Sequence, residues 1–134
     1  MSFWSALHFH GLTEQVPRTV FVATTRRKRE VVFQETPFKF VTLKPKTFFG
    51  YRREMLAELP IVVADEAKAI LDSLSLPQYA GGIKEVAKAL QNAIRAGALD
   101  MPVLLEYAER LQNGSLSSRL EYLLESLGQP ATDL

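Results

Sequence analysis

The chain has 134 residues, of which 47% are hydrophobic and 23% charged, and it contains no cysteine. This length and composition predict one globular domain whose core is large enough to fold without cross-links. The absence of cysteine excludes disulfides, zinc–thiolate sites and a cysteine nucleophile. No apolar run reaches the roughly 20 residues of a membrane-spanning helix. Residues 1–11 lack the basic and apolar segments of a secretory signal, so we expect a cytoplasmic protein without membrane contact.

The net charge of +1 hides an uneven distribution. Residues 1–53 hold ten Lys/Arg and three Asp/Glu, a balance of +7, whereas residues 54–134 hold six and twelve, a balance of −6. Such asymmetry is typical of a protein with a basic binding face, but a solvated surface that is merely polarised gives the same counts. Composition alone leaves both interpretations open.

The N-terminal half is expected to contain one helix and several short strands. Helical character runs from Phe3 to His10, and Gly11 is the predicted stop. β-Branched and aromatic residues favour strands at 20–22, 31–33 and 38–43, and they allow a further strand at 47–51. The first two strands, separated by the charged run 26–29, are interpreted as a hairpin. The run 61–63 is assigned to a strand because it is β-branched and precedes an aspartate.

The C-terminal half is expected to be helical. Caps and breakers place four helices between Asp65 and Pro77, Gly82 and Gly97, Asp100 and Asn113-Gly114, and Ser115 or Ser117 and Gly128. The buried face of the second of these helices is predicted to be Ile83, Val86, Ala87, Leu90 and Ile94. The order of elements predicts an α+β fold, with an N-terminal helix, a small and mainly antiparallel sheet of short strands, and then about four helices. We expect a single domain over 1–128 and a frayed tail over 129–134.

Candidate catalytic and metal-binding residues are few. His8 and His10 are two positions apart, which directs them away from each other on a helix, so we expect them to be polar or packing residues. The sequence has no nucleophile elbow and no phosphate-binding glycine loop. Asp65, Glu66 and Lys68 follow a predicted strand, and in a nuclease the two carboxylates could hold Mg²⁺ and position a water, but Asp65 is better explained as a helix cap. The prediction is a protein that is not an enzyme and has no metal or cofactor.

The charge run 26–29 is the strongest candidate for a binding surface. Phosphate groups of DNA or RNA and an acidic protein surface could both use it. The predicted basic patch comprises Arg18, Arg26, Arg27, Lys28, Arg29, Lys44, Lys46, Arg52 and Arg53, with Lys39 nearby. Aromatic residues interleave with these charges, namely Phe38, Phe40, Phe48, Phe49 and Tyr51. Bases could stack on them, but in alternating strands we expect the aromatic residues to form core and the lysines to face solvent.

Several stretches match one pattern in order and spacing. They are 4–15 (WSALHFHGLTEQ), 17–24 (PRTVFVAT), 38–41 (FKFV) with 48–50 (FFG), 63–65 (VAD), 80–82 (AGG) with 85–90 (EVAKAL), and 119–125 (RLEYLLE) with 127–128 (LG). Together they resemble the C-terminal region of AbiEi-type antitoxins of bacterial abortive-infection systems, over nearly the whole chain.

This resemblance implies a non-catalytic antitoxin or transcriptional regulator in a type IV toxin–antitoxin system of phage defence, paired with a nucleotidyltransferase-like toxin. Members typically also carry an N-terminal winged helix that binds their promoter. The motif at Trp4 closely follows Met1, so we expect that winged helix to be lacking here. A positive surface could complement the acidic, metal-binding active site of such a toxin. The alternative function is a nucleic-acid-binding accessory or regulator module that uses the basic half.

Overall fold

The computed structural model describes residues 1–56 and 59–128, and these form the α+β fold that the sequence predicts. Helix α1 spans Phe3–Phe9. The strands are β1 (Val20–Thr24), β2 (Val31–Phe33), β3 (Thr36–Thr42), β4 (Tyr51–Leu56) and β5 (Leu59–Ala64). Four helices follow, α2 (Glu66–Ser75), α3 (Ile83–Arg95), α4 (Met101–Leu111) and α5 (Gly114–Ser126). The predicted tail, 129–134, lies outside the described residues.

The strands form two small sheets, one of three strands and one of two. In the first sheet β3 is central. It pairs in parallel with β1, where Val20 is opposite Phe38, and antiparallel with β2, where Val31 is opposite the same residue. In the second sheet β4 and β5 are antiparallel. The sheets are thus mainly antiparallel, as predicted, although the β1–β3 pairing is parallel.

The predicted hairpin between strands 20–22 and 31–33 is wrong. The hairpin joins β2 to β3 instead, through Gln34 and Glu35, whose φ angles are 50° and 67°. Two successive residues with positive φ are the geometry of the two-residue loops that suit twisted strands. The segment 25–30 therefore crosses from the β1 edge of the sheet to the β2 edge.

The first two residues connect the two sheets. The backbone N–H of Ala64 donates to the carbonyl of Met1 (2.9 Å), and that of Ser2 donates to the carbonyl of Phe21 (2.9 Å). The hydroxyl of Ser5 accepts from the backbone N–H of Phe21 at 2.8 Å, which fixes α1 to the edge of β1. The start of the chain is therefore an integral part of the fold.

The larger hydrophobic core surrounds α2, in which residues 67–74 are all buried. A smaller core lies between α1 and one face of the first sheet, around Phe3. In α3 the predicted Val86 and Leu90 are buried, but Ile83 is 44% exposed because the buried stripe begins one turn later. Ala89 and Ala93 are buried members of that stripe that the sequence prediction missed.

The helix caps at Asp65 and Asp100 are confirmed. Their carboxylates accept from the backbone N–H groups of Lys68 (2.8 Å) and Val103 (3.2 Å). The predicted start of α5 at a serine is wrong, because Asn113 caps it by accepting from the backbone of Leu116 (3.1 Å). The predicted strand at 47–51 is also wrong, since Pro45–Thr47 form a 3₁₀ turn and β4 begins only at residue 51. None of the helices within 1–56 and 59–128 has the length and apolar character needed to cross a membrane.

Candidate functional site

The basic run 26–29 leaves the first sheet at the end where β1 and β3 both finish. The hydroxyl of Thr24 accepts from the backbone N–H of Arg26 (3.2 Å) and donates to its carbonyl (3.1 Å), which turns the chain. Leu43 donates its backbone N–H to the carbonyl of Thr24 (2.7 Å), so the lysines that follow β3 lie at this same end. Six predicted cations share this end and are called the basic cluster: Arg26, Arg27, Lys28, Arg29, Lys44 and Lys46.

The basic cluster is open to solvent. All six side chains are exposed. Within residues 1–56 and 59–128, none of the six forms an ion pair with a carboxylate. Uncompensated cations that lie close together raise the local positive potential and attract anionic partners. The basic cluster is therefore a concentrated positive patch on the surface of the described residues.

Three residues of the predicted patch lie elsewhere. Arg18 precedes β1 and is at the opposite end of the first sheet, roughly 17 Å away by the length of a five-residue strand. Arg52 and Arg53 are on β4 in the second sheet. Arg52 is also engaged within the chain, with its guanidinium 2.7 Å from the carboxylate of Glu54 and 2.9 Å from that of Glu66. The structure thus divides the predicted patch.

The central strand of the first sheet turns two phenylalanines away from the core. On the inner face, Phe21, Ala23 and Val41 belong to the smaller core. Successive strand residues point to opposite faces, so Phe38 and Phe40 lie on the outer face. The expectation that both form core is wrong, because the described helices cover only the inner face of this sheet and period-two alternation does not reveal which face is covered.

The neighbouring strands extend this apolar surface. Val31 is directly opposite Phe38 and is 51% exposed, while Phe33 on the same side of β2 is 62% exposed. The ammonium group of Lys28 lies 5.5 Å from the ring centroid of Phe40, so the basic run reaches over this face. Five residues form this surface, which is called the outer face: Val22, Val31, Phe33, Phe38 and Phe40.

The other aromatic residues are distributed differently. Phe49 and Tyr51 pack partly against the larger core, as expected. Phe48 is 40% exposed and stacks on Tyr51 with ring centroids 4.6 Å apart. Lys39 is on the inner side of β3 but is exposed. The ammonium group of Lys39 lies 5.2 Å from the ring centroid of Tyr79. The outer face and the basic cluster adjoin each other at Phe40 and Lys28, so exposed cations and aromatic rings share one surface there.

A buried polar cluster is centred on α2. Lys68 is fully buried, and it forms an ion pair with Asp72, which is 5% exposed. The second oxygen of Asp72 accepts from the hydroxyls of Ser2 (2.7 Å) and Tyr51 (3.1 Å). Burial raises the pKa of the Asp72 carboxyl, although the Lys68 charge opposes this. Burial and the nearby Asp72 charge also raise the pKa of the Tyr51 hydroxyl.

Sequence reasoning missed this buried cluster. The available signal was a pair of opposite charges spaced by four residues within an otherwise apolar helix. Such pairs are usually solvent-exposed, and the partners from α1 and β4 are distant in sequence. With both charges paired and buried, the cluster links Ser2 at the start of α1 and Tyr51 of β4 to α2.

The residues of the nuclease hypothesis do not converge. Asp65 caps α2, and its other oxygen accepts from the hydroxyl of Tyr107 at 2.8 Å. Burial and this hydrogen bond raise the pKa of Tyr107 to about 12. Glu66 binds Arg52, while Lys68 is buried with its own partner. Across 1–56 and 59–128 no group of three histidine or carboxylate side chains is placed to hold a metal ion.

The two histidines also have separate positions. The Nε2–H of His10 donates to the carbonyl of Ala64 (2.7 Å), and its Nδ1 lies 3.9 Å from Glu66. His8 is exposed on α1. These contacts are those of a packing residue and a surface residue.

Comparison with models of known protein families gives no match. Comparison with curated proteins gives no significant similarity.

Proposed function

We propose that the chain is a non-catalytic, antitoxin-like regulatory domain that acts in the bacterial cytoplasm and counteracts a nucleotidyltransferase-type toxin. The observation that carries this proposal is that the stretches resembling AbiEi-type antitoxins contact one another. The ring of Trp4 lies against Gly81, where an added Cβ would be 3.0 Å away. The carbonyl of Gly50 accepts from the backbone of Asp65 at 2.7 Å. The likeness thus concerns residues that build the fold.

The basic cluster supports the proposal because it offers a surface that could bind the toxin. Nucleotidyl transfer depends on carboxylates that hold metal ions, so the active site of such a toxin is acidic. Six exposed cations without carboxylate partners among the described residues are complementary to that surface. Neutralisation then requires no catalytic group in this chain.

Growth rescue in cells tests the proposal. A nucleotidyltransferase-type toxin from an AbiE-type abortive-infection system is expressed from an inducible promoter, with and without the chain in trans. We expect the chain to restore growth. Persistent arrest in cells that contain soluble, folded chain would contradict the proposal. Co-purification is not a suitable measurement, because a type IV antitoxin need not form a stable complex with its toxin.

A second candidate function, nucleic-acid binding, is favoured by a different observation. The outer face carries three phenylalanines beside the basic cluster, and Lys28 of that cluster lies over the ring of Phe40. Rings and cations side by side are the usual components of nucleic-acid-binding surfaces. The immediate test is salt dependence, because affinity that depends on phosphate contacts falls steeply as salt concentration rises.

A further inference from the structure

We propose that the outer face binds single-stranded nucleic acid, with bases stacked on Phe38, Phe40 and Phe33 and phosphates held by the basic cluster. The inference rests on the second candidate function and specifies its ligand and its site. It is independent of toxin neutralisation.

The spacing of the rings matches a single strand. Phe38 and Phe40 are two residues apart on β3, which separates them by about 6.6 Å on one face. Phe33 adds a third ring from the adjacent strand. A single strand can splay its bases outward and place each on a ring, whereas the bases of a duplex are already paired and stacked. The ring arrangement therefore selects single strands.

The rings are also accessible. Neither Phe38 nor Phe40 belongs to either hydrophobic core, and both are half-buried. Phe33 is 62% exposed. Apolar residues that form a continuous exposed surface commonly mark a binding site.

The charges lie where the backbone of a bound strand would run. The segment 25–30 crosses the sheet, and Lys28 reaches Phe40 with 5.5 Å between ammonium and ring centroid. Lys44 and Lys46 follow β3 at the same end. A phosphate beside a stacked base would thus meet several cations. An acidic protein segment could also pair with the edge strand β2, but that contact would use backbone groups and would not require rings on the central strand.

Fluorescence anisotropy with a labelled oligothymidylate of about 12 nucleotides tests the inference, since such a length covers one small binding site. The competitor is a duplex of equal length. The test variant is Phe38→Leu/Phe40→Leu, which keeps apolar bulk and removes the rings. The matched control is Tyr122→Leu, which removes an exposed aromatic ring from α5. We expect the single strand to bind more tightly than the duplex, and the double variant to lose at least about tenfold in affinity.

Phe33→Ala is a second test variant in case the double variant fails to fold, because this ring is at an exposed edge. We expect the affinity of Phe33→Ala to fall about fivefold or more, with that of Tyr122→Leu unchanged. Four phosphate contacts from 26–29 predict a slope of about −3 for log affinity against log salt concentration.

The stacking inference would be overturned if duplex and single strand bound equally and neither Phe38→Leu/Phe40→Leu nor Phe33→Ala weakened binding. In that case nucleic-acid binding through charge alone would stand. No binding of either nucleic acid at low salt would overturn both. Neither result would alter growth rescue, so the antitoxin proposal is tested separately.

Discussion

Lys68 and Asp72 form a buried ion pair one helical turn apart on α2. Removing two charges from water is costly, and a buried pair often contributes little net stability compared with well-packed apolar residues. The pair has additional partners here, because Ser2 and Tyr51 donate to the same carboxylate. We infer that the cluster defines how α1 and β4 sit on α2.

The ion pair predicts a strong asymmetry between single and double variants. Lys68→Met leaves Asp72 buried without its counter-charge, and we expect a loss of about 3–5 kcal/mol in the free energy of unfolding. Lys68→Met/Asp72→Leu removes both charges and should cost less than Lys68→Met alone. Urea unfolding measures both, with the exposed Lys88→Met on α3 as the control. A double variant less stable than the single would contradict this account.

The close approach of Gly50 to α2 makes a second prediction. Its φ is +82°, and an added Cβ would lie 2.8 Å from the Cβ of Lys68. Gly97 also has positive φ, +64°, but nothing lies within 4 Å of an added Cβ. Gly97→Ala should cost only the left-handed backbone penalty of about 1–2 kcal/mol, and Gly50→Ala clearly more. Equal losses of stability in thermal unfolding would contradict this, because they would show that backbone strain alone determines the cost of both substitutions.

The hydrogen bond from Tyr107 to Asp65 predicts a pH-dependent contribution to stability. Tyr107→Phe should cost about 1–2 kcal/mol near neutral pH, because the acceptor is a carboxylate. The pKa of Tyr107 is raised from 10.0 to about 12 in the fold. A raised pKa means that the stability gain is complete below about 10 and is lost as pH rises through about 12. The difference in free energy of unfolding between the unaltered chain and Tyr107→Phe, measured in urea, should therefore shrink as the pH rises from about 10 to about 12. A difference that stays constant would contradict the assignment.

The β2–β3 turn should be improvable. Gln34 and Glu35 adopt positive φ, which asparagine and glycine adopt with less strain. Gln34→Asn/Glu35→Gly should raise the free energy of unfolding by about 1 kcal/mol, after the entropic cost of glycine is included. A higher midpoint of thermal unfolding is the expected result. A lower midpoint would show that this turn has a different geometry.

The fold class and the helix caps could be predicted because their causes are local. Asp65 and Asp100 each bind a backbone group three residues away, and such patterns are visible in sequence. The pairing of β1 with β3 could not be predicted, because β2 separates the two strands in sequence although they are direct neighbours in the sheet. The exposure of Phe38 and Phe40 could not be predicted either, because alternation does not show which face of a strand the rest of the protein covers.

The candidate site was predictable in part. The run 26–29 stands out by composition, but only the end shared by β1 and β3 shows that Lys44 and Lys46 join it. Arg52 illustrates the limit, because its pairing with Glu66 depends on how β4 meets α2. Charge counting therefore locates a basic half, and the tertiary structure determines which of its cations are available.

Growth rescue with matched charge-removal variants tests the central claim most directly. Arg27→Ala/Lys28→Ala/Arg29→Ala removes three cations of the basic cluster, and Lys84→Ala/Lys88→Ala/Arg95→Ala removes three exposed cations from α3. We predict that the unaltered chain and the α3 variant restore growth against the nucleotidyltransferase, while the basic-cluster variant does not. Failure of the unaltered, folded chain to restore growth, or equal rescue by both variants, would contradict an antitoxin-like domain that acts through this cluster.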